Sequence, residues 1–113
     1  MISRGEVGTK KIFEDERVII WELFLEPGEV IELHTHQHDY FFYVFEGGTI
    51  HAFDADDNHT ATLELSAGDT VAFRHEGKEL VPMTSGDPPI PSTHWARNAG
   101  ETRYREILVE MKN

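Results

Sequence analysis

Apolar, aromatic and β-branched side chains run through this sequence in stretches of four to eight residues, and Gly, Pro, Asp or Asn closes almost every stretch. A half-buried strand needs that length and those residue types, because branched and aromatic side chains pack on a pleated surface and the closing residues supply turn conformations. The pattern predicts strands over residues 17–25, 30–36, 40–45, 49–54, 60–65 and 70–73, and a last pair over 94–97 and 103–111. Turns are expected at Glu26-Pro27-Gly28-Glu29, Gly47-Gly48, Ala55-Asp56-Asp57-Asn58, Ser66-Ala67-Gly68-Asp69 and Asn98-Ala99-Gly100-Glu101. No window holds apolar residues at i, i+3, i+4 and i+7 for the length of an ordinary helix. Eight or more short strands without helices predict an all-β sandwich or barrel, its edges protected by closure or by a second copy of the chain.

Two stretches depart from this rhythm. Residues 74–88 carry Gly77, Pro82, Ser85, Gly86, Asp87 and Pro88 around only Leu80-Val81, so they are expected to leave the barrel as a surface insertion long enough to act as a lid. The run Tyr40-Phe41-Phe42-Tyr43-Val44-Phe45 is apolar on both faces. With Phe42 and Val44 turned inward, Phe41, Tyr43 and Phe45 form an outward apolar patch, which predicts a homodimer.

A chain of 113 residues has room for one core, so residues 1–113 are expected to form a single domain. Hydrophobic residues at 39% and charged residues at 27% support a packed interior and exclude a disordered or fibrous chain. Twenty-one acidic residues against ten basic ones give a net charge of −11, which repels phosphate backbones and anionic lipid, so neither nucleic acid nor membrane is expected as a partner. No apolar run approaches the roughly 18 residues of a membrane span, and the start, Met1-Ile2-Ser3-Arg4-Gly5-Glu6, lacks the apolar stretch of a secretory signal. A cytoplasmic protein is the expectation. With no cysteine, any metal must be held by nitrogen and oxygen, from seven histidines and the carboxylates.

The densest chemistry lies at His34-Thr35-His36-Gln37-His38-Asp39-Tyr40. Side chains alternate across a strand, so His34 and His36 share a face with Cα atoms roughly 6.6 Å apart. Imidazoles so spaced can converge on one cation through nitrogen–metal bonds of about 2.0–2.1 Å. A polar strand end carrying solvated histidines is the alternative reading of the same three residues.

The framing of the pair, and its echo late in the chain, carry a resemblance. Gly28 is followed after five residues by His34-Thr35-His36, after three more by Tyr40, and after six more by Gly47; later, His94-Trp95-Ala96-Arg97-Asn98 gives a histidine, three residues and an asparagine. Together these resemble the two motifs of the cupin superfamily, over about Val18 to Met111. The first motif matches at every fixed position but one: Tyr40, with Asp39 beside it, stands where the family places a metal-binding glutamate. The second is stretched, with 20 residues between Gly68 and Pro89 where the family pattern has five, and Pro91 at the family's glycine.

The resemblance implies a double-stranded β-helix, the RmlC-like jelly-roll barrel of small single-domain cupins. It also implies one divalent transition metal on His34, His36 and His94. Three neutral imidazoles suit Fe(II), Zn, Ni, Mn or Cu and leave coordination positions open. The fourth position falls to Tyr40, Asp39, His38 or water. Tyr40 shares the inward parity of the two histidines and Asp39 does not, so Tyr40 is the first choice to line the site, through a hydrogen bond to a bound water or substrate rather than as phenolate.

His51, His59 and His75 stand alone and read as surface residues, Trp95 as packing, and Asn98 as the cap of a turn. Arg103 and Arg105 alternate with Tyr104 and Glu106; an arginine facing the barrel would offer a fork to an anionic substrate, while solvated ion pairs account for both equally. Two functions follow. One is an enzyme whose mononuclear metal activates a small oxygen-rich metabolite, with dioxygenase-like chemistry leading and Tyr40 and Asp39 tuning protonation. The other is a non-catalytic module that binds a metabolite or metal at a degenerate site. Convergent polar groups beyond the ligands, in an open cavity, mark the first; a closed, aromatic-packed cavity marks the second.

Overall fold

The computed structural model describes residues 7–112. The segment that carries the no-signal expectation, residues 1–6, lies outside the described residues. Every regular element among those described is a strand: β1 (Lys10–Glu14), β2 (Val18–Leu25), β3 (Val30–Thr35), β4 (Asp39–Glu46), β5 (Gly48–Phe53), β6 (His59–Leu65), β7 (Thr70–Glu76), β8 (Glu79–Pro82), β9 (Ile90–Pro91), β10 (Thr93–Asn98) and β11 (Tyr104–Met111). They form two antiparallel sheets, one in the order β1-β2-β11-β4-β7-β8-β9 and the other in the order β3-β10-β5-β6. The eight strands legible in the sequence are all present, with ends moved by no more than three residues.

Alternation decides what fills the space between the sheets. In β2, Trp21, Leu23 and Leu25 point inward; in β4, Tyr40, Phe42 and Val44 do so. Between them β11 turns Tyr104, Glu106, Leu108 and Glu110 inward and Arg105, Ile107 and Val109 outward. Ile31 and Ile50 answer from the smaller sheet. Where β3 pairs with β10, that sheet breaks strict alternation: a two-residue step on β10, from His94 to Ala96, faces a three-residue step on β3, from His34 to Ile31. This bulge lets Ile31 and His34, an odd number of residues apart, both face the interior.

Two glycines answer geometric demands. Gly28 turns the chain from β2 to β3 at a φ of 85°, a region that side chains disfavour. At Gly47, between β4 and β5, a Cβ would collide with the carbonyl oxygen of Leu65, so only glycine lets β6 pass so close.

The expectation of a structureless excursion over residues 74–88 is corrected. β7 continues to Glu76, Gly77 and Lys78 make a two-residue turn, and β8 returns to pair Glu76 with Glu79 and His75 with Leu80. Gly77, at a φ of 62°, occupies the first turn position, where a two-residue hairpin loop requires a left-handed residue. Leu80 is completely buried and pairs with Ile90 of β9. Pro82 misleads because it closes the strand near the edge of the sheet, where a proline is tolerated. Only the exposed residues 83–89 are irregular.

Candidate metal centre

The bulged pairing of β3 with β10 brings the three histidines together. His34 lies on β3 directly across from His94 on β10. His36 lies just past β3, tied to the other side by its backbone N–H, which donates to the carbonyl of Ser92 at 2.9 Å. All three are buried, with ring centroids 4.8–4.9 Å apart in every pairing, and one nitrogen from each lies within 4.8 Å of the other two.

Backbone carbonyls set the tautomers. His34 Nδ1 lies 2.7 Å from the carbonyl oxygen of Glu32, and His94 Nδ1 lies 2.8 Å from that of Pro91. A carbonyl only accepts, so each Nδ1 carries the proton and each Nε2 presents a lone pair. Burial holds all three rings below the usual histidine pKa, His94 at about 4, so they are neutral, as metal ligands must be.

His36 exposes the tension in this arrangement. Its Nε2 is 3.2 Å from His34 Nε2, and its Nδ1 is buried without a hydrogen-bond partner. If the His36 proton sits on Nδ1, that N–H is orphaned and two lone pairs face each other; if it sits on Nε2, the Nδ1 lone pair is orphaned. A cation between the rings removes the lone-pair conflict. Two nitrogen–metal bonds of about 2.0–2.1 Å meeting at about 90–110° hold their nitrogens about 2.9–3.4 Å apart, the spacing found here. This buried triad could therefore hold a metal ion.

The triad lines a cavity of about 70 Å³ walled chiefly by apolar groups, among them Leu23, Ile31, Phe42 and Ile50. Tyr40 also lines it, its ring stacked on His36 at 4.3 Å and 13° and on Phe73 at 5.3 Å. Burial, then the carboxyls of Glu106 and Glu110, push the Tyr40 phenol well above its ordinary pKa, so it is the neutral phenol. Asp39 goes elsewhere: Oδ1 accepts the backbone N–H of His75 at 2.7 Å. His38 is half-buried and, like Asp39, is not brought into the cluster of potential ligand atoms.

Away from the cavity, Trp95 stacks on Phe53 at 4.1 Å and donates to Asp57 at 2.9 Å on the outer face of the smaller sheet, beside His51 and exposed His59. Asn98 caps the turn as expected, its Oδ1 accepting from Gly100, and does more: Nδ2 donates to the carbonyls of Leu25 and Thr102, each at 2.9 Å. Neither arginine faces the barrel. Arg105 pairs with Glu22 at 2.6 Å and Arg103 with Glu46 at 2.9 Å, both outside.

Their partners in the alternation face in, and these the sequence reading missed. Glu106 lines the triad's cavity and accepts a 2.6 Å hydrogen bond from the Tyr104 hydroxyl. Glu110 is buried under the Trp21 indole, whose N–H donates to it at 2.7 Å. Leu108 is the signal that could have found both: in a strand, residues two on either side of an inward leucine face inward too.

Sequence comparison finds no matching family model and no matching curated protein. Solved structures do match. The chain is similar to a cupin domain from Bordetella pertussis Tohama I, at 19% identity over 94% of this chain and 97% of that one, with a TM-score of 0.66. It is similar to an RmlC-like cupin family protein with a double-stranded β-helix fold from Methanocaldococcus jannaschii, at 13% identity over 90% and 76% of the two chains, with a TM-score of 0.58. A third likeness is to the polyketide cyclase RemF from Streptomyces resistomycificus, at 17% identity over 88% and 57%, with a TM-score of 0.53. At such identities the shared feature is the fold. The chain is a cupin in fold, an RmlC-like double-stranded β-helix whose interior holds a histidine triad able to take a metal ion.

Proposed function

We propose that this protein is a metal-dependent cupin that binds a small oxygen-bearing molecule at an ion held by His34, His36 and His94. One observation carries the reading: two of the three imidazoles are pinned by backbone carbonyls so that their lone pairs converge on the third, in a buried cavity. When bound, the ion supplies Lewis acidity or a redox centre, with dioxygenase-like oxidation as the leading reaction class. The chain's own residues do the rest. Glu32 and Pro91 orient two ligands through their carbonyls. Tyr40 braces the His36 ring by stacking and, as a neutral phenol, stands available to hydrogen-bond a bound molecule. The apolar wall keeps bulk water away from the ion.

A second reading, a non-catalytic binding module, is favoured by the size of the cavity. About 70 Å³ admits only a few water-sized molecules, and Tyr40, Phe42 and Phe73 crowd it. Exposed Tyr43 and Phe45, 42% and 45% accessible on the outer face of β4, support a homodimer. The acidic, cysteine-free composition supports a cytoplasmic location.

Elemental analysis of the untagged protein, followed by titration with Fe(II), Zn, Ni, Mn and Cu, tests the metal. About one equivalent is expected, and His34→Ala should lose it while keeping the β-sheet circular dichroism. Failure of the wild type to bind any of these ions would refute the reading. Tyr40→Phe should keep the ion; losing it would make the phenol a ligand.

A further inference from the structure

β11 turns two carboxylic side chains inward, where an unpaired carboxylate is costly. Glu110 is held by Trp21 and does not line the triad's cavity. Glu106 does line it. No Lys or Arg lines that cavity, so Glu106 has no counter-charge there. Its cross-strand neighbours are Leu23 on β2 and Val44 on β4, both apolar and buried. The titratable groups around it are the phenols of Tyr104 and Tyr40 and, on the opposite sheet, the triad. Burial raises its pKa to about 8, against the opposing pull of the Tyr104 hydrogen bond.

Position distinguishes this carboxyl from a ligand. The atoms close enough together to hold one ion come from His34, His36 and His94, and Glu106 contributes none of them. Tyr104 occupies one carboxyl oxygen, and the second has no hydrogen-bond partner among the described residues.

We propose that Glu106 is the proton donor and acceptor of this site, exchanging a proton through its second carboxyl oxygen with a small molecule bound in the cavity between it and the triad. The inference rests on the metal reading only for where that molecule is held. In the donating direction the carboxyl O–H bond breaks, the proton passes to an oxygen or nitrogen of the molecule, and the electron pair stays on a carboxylate held by the Tyr104 hydroxyl. In the accepting direction the same proton returns. The ligand class is a molecule whose reacting end has a few heavy atoms and a basic oxygen or nitrogen. An acid that titrates near working pH is the effective kind for both directions.

Infrared spectroscopy tests this on the full chain. The metal-free protein at neutral pH should show a carboxylic-acid carbonyl band that Glu106→Gln removes; an ionised Glu106 would overturn the proposal, whatever the metal does. The cobalt(II)-loaded protein is then given azide, a three-atom probe. The variant should keep wild-type cobalt stoichiometry, and the azide stretch should differ between wild type and variant because the acid O–H that donates to the probe is replaced by a weaker amide N–H donor. Loss of cobalt from Glu106→Gln, an identical azide band, or exclusion of azide from the cobalt-loaded wild type would each overturn the proposal. Should the variant not fold, a shift of the carbonyl band on azide addition in wild type labelled with ¹³C-glutamate decides the matter in its place. Absence of cobalt from the wild type would defeat the metal reading alone, since the carbonyl band judges the acid without any ion.

Discussion

Replacing Glu106 by glutamine keeps the length of the side chain and an oxygen for Tyr104 to donate to, and deletes the titrating proton. In the folded protein this carboxyl, buried without a cation beside it, loses its proton at about pH 8 instead of the ordinary 4.5. Between those values the folded state holds a proton that the unfolded state has released, so stability falls as pH rises. The contribution is intact below pH 4.5, declines through the interval, and levels off above about 8. At about 1.4 kcal/mol per pH unit the whole displacement corresponds to about 5 kcal/mol. Between pH 5 and pH 9 the variant should therefore gain on the wild type by about 4 kcal/mol. Urea unfolding of the metal-free proteins at pH 5, 7 and 9 measures this, with equal m-values as the check that both unfold alike. Histidine titration is common to the two proteins and cancels in the difference. A stability difference that stays constant within about 0.5 kcal/mol over that range would refute the account of Glu106 as a buried, uncompensated acid.

The histidines act in the opposite sense. His94 is held at about pH 4 against an ordinary 6.5, so the unfolded chain takes up its proton first and stability is lost as pH falls from 6.5 toward 4, by about 3 kcal/mol from this ring alone. His94→Asn in the Glu106→Gln background should flatten the acid limb of the metal-free stability profile, and an unchanged limb would count against a buried neutral ring. Leu80→Ala should cost about 2–5 kcal/mol in thermal or urea unfolding, as for any core leucine, whereas a residue on a surface excursion would cost about 0.5 kcal/mol. Asn98→Ala strips donors from the carbonyls of Leu25 and Thr102 and an acceptor from Gly100, and should cost about 3 kcal/mol; a loss under about 1 kcal/mol would mean that water replaces the amide.

What the sequence discloses and what it hides divide along a physical line. Period-two alternation and turn residues act locally, so the central strands β2, β4, β5 and β11 can be read directly from their residues. The exposed edge strand β1 and the hairpin of β7 with β8 cannot. Lys10-Lys11-Ile12-Phe13-Glu14 buries none of its side chains, and β8 shows one buried leucine beside a proline. Edge strands owe their existence to pairing with a neighbour rather than to a pattern of their own. The triad is legible because it sits in a spaced motif. Glu106 hides because charge suggests a partner in Arg105, while backbone parity sends the two to opposite faces and gives Arg105 to Glu22.

That division bears on how the site works. Three of the directly legible strands, β2, β4 and β11, belong to the larger sheet and supply one wall of the cavity, including Tyr40 and Glu106. The ligand cluster belongs to the smaller sheet, where a bulge and a strand end aim His34, His36 and His94 at one another. Each sheet thus brings one half of the chemistry: neutral nitrogen donors from one side, a carboxyl and a phenol from the other. An ion-free interior leaves both halves in tension, with lone pairs or an orphaned nitrogen at His36 and an uncompensated acid at Glu106. Tension of this kind is spent stability, since an apolar core of the same shape would have neither cost. A cation on the triad relieves the first, and its positive charge across a small apolar cavity lowers the cost of releasing the Glu106 proton and so eases the second. The two strained groups are therefore coupled through the occupant of the cavity, which is the arrangement expected of a site that binds an ion and moves a proton rather than of a core that merely holds two sheets together.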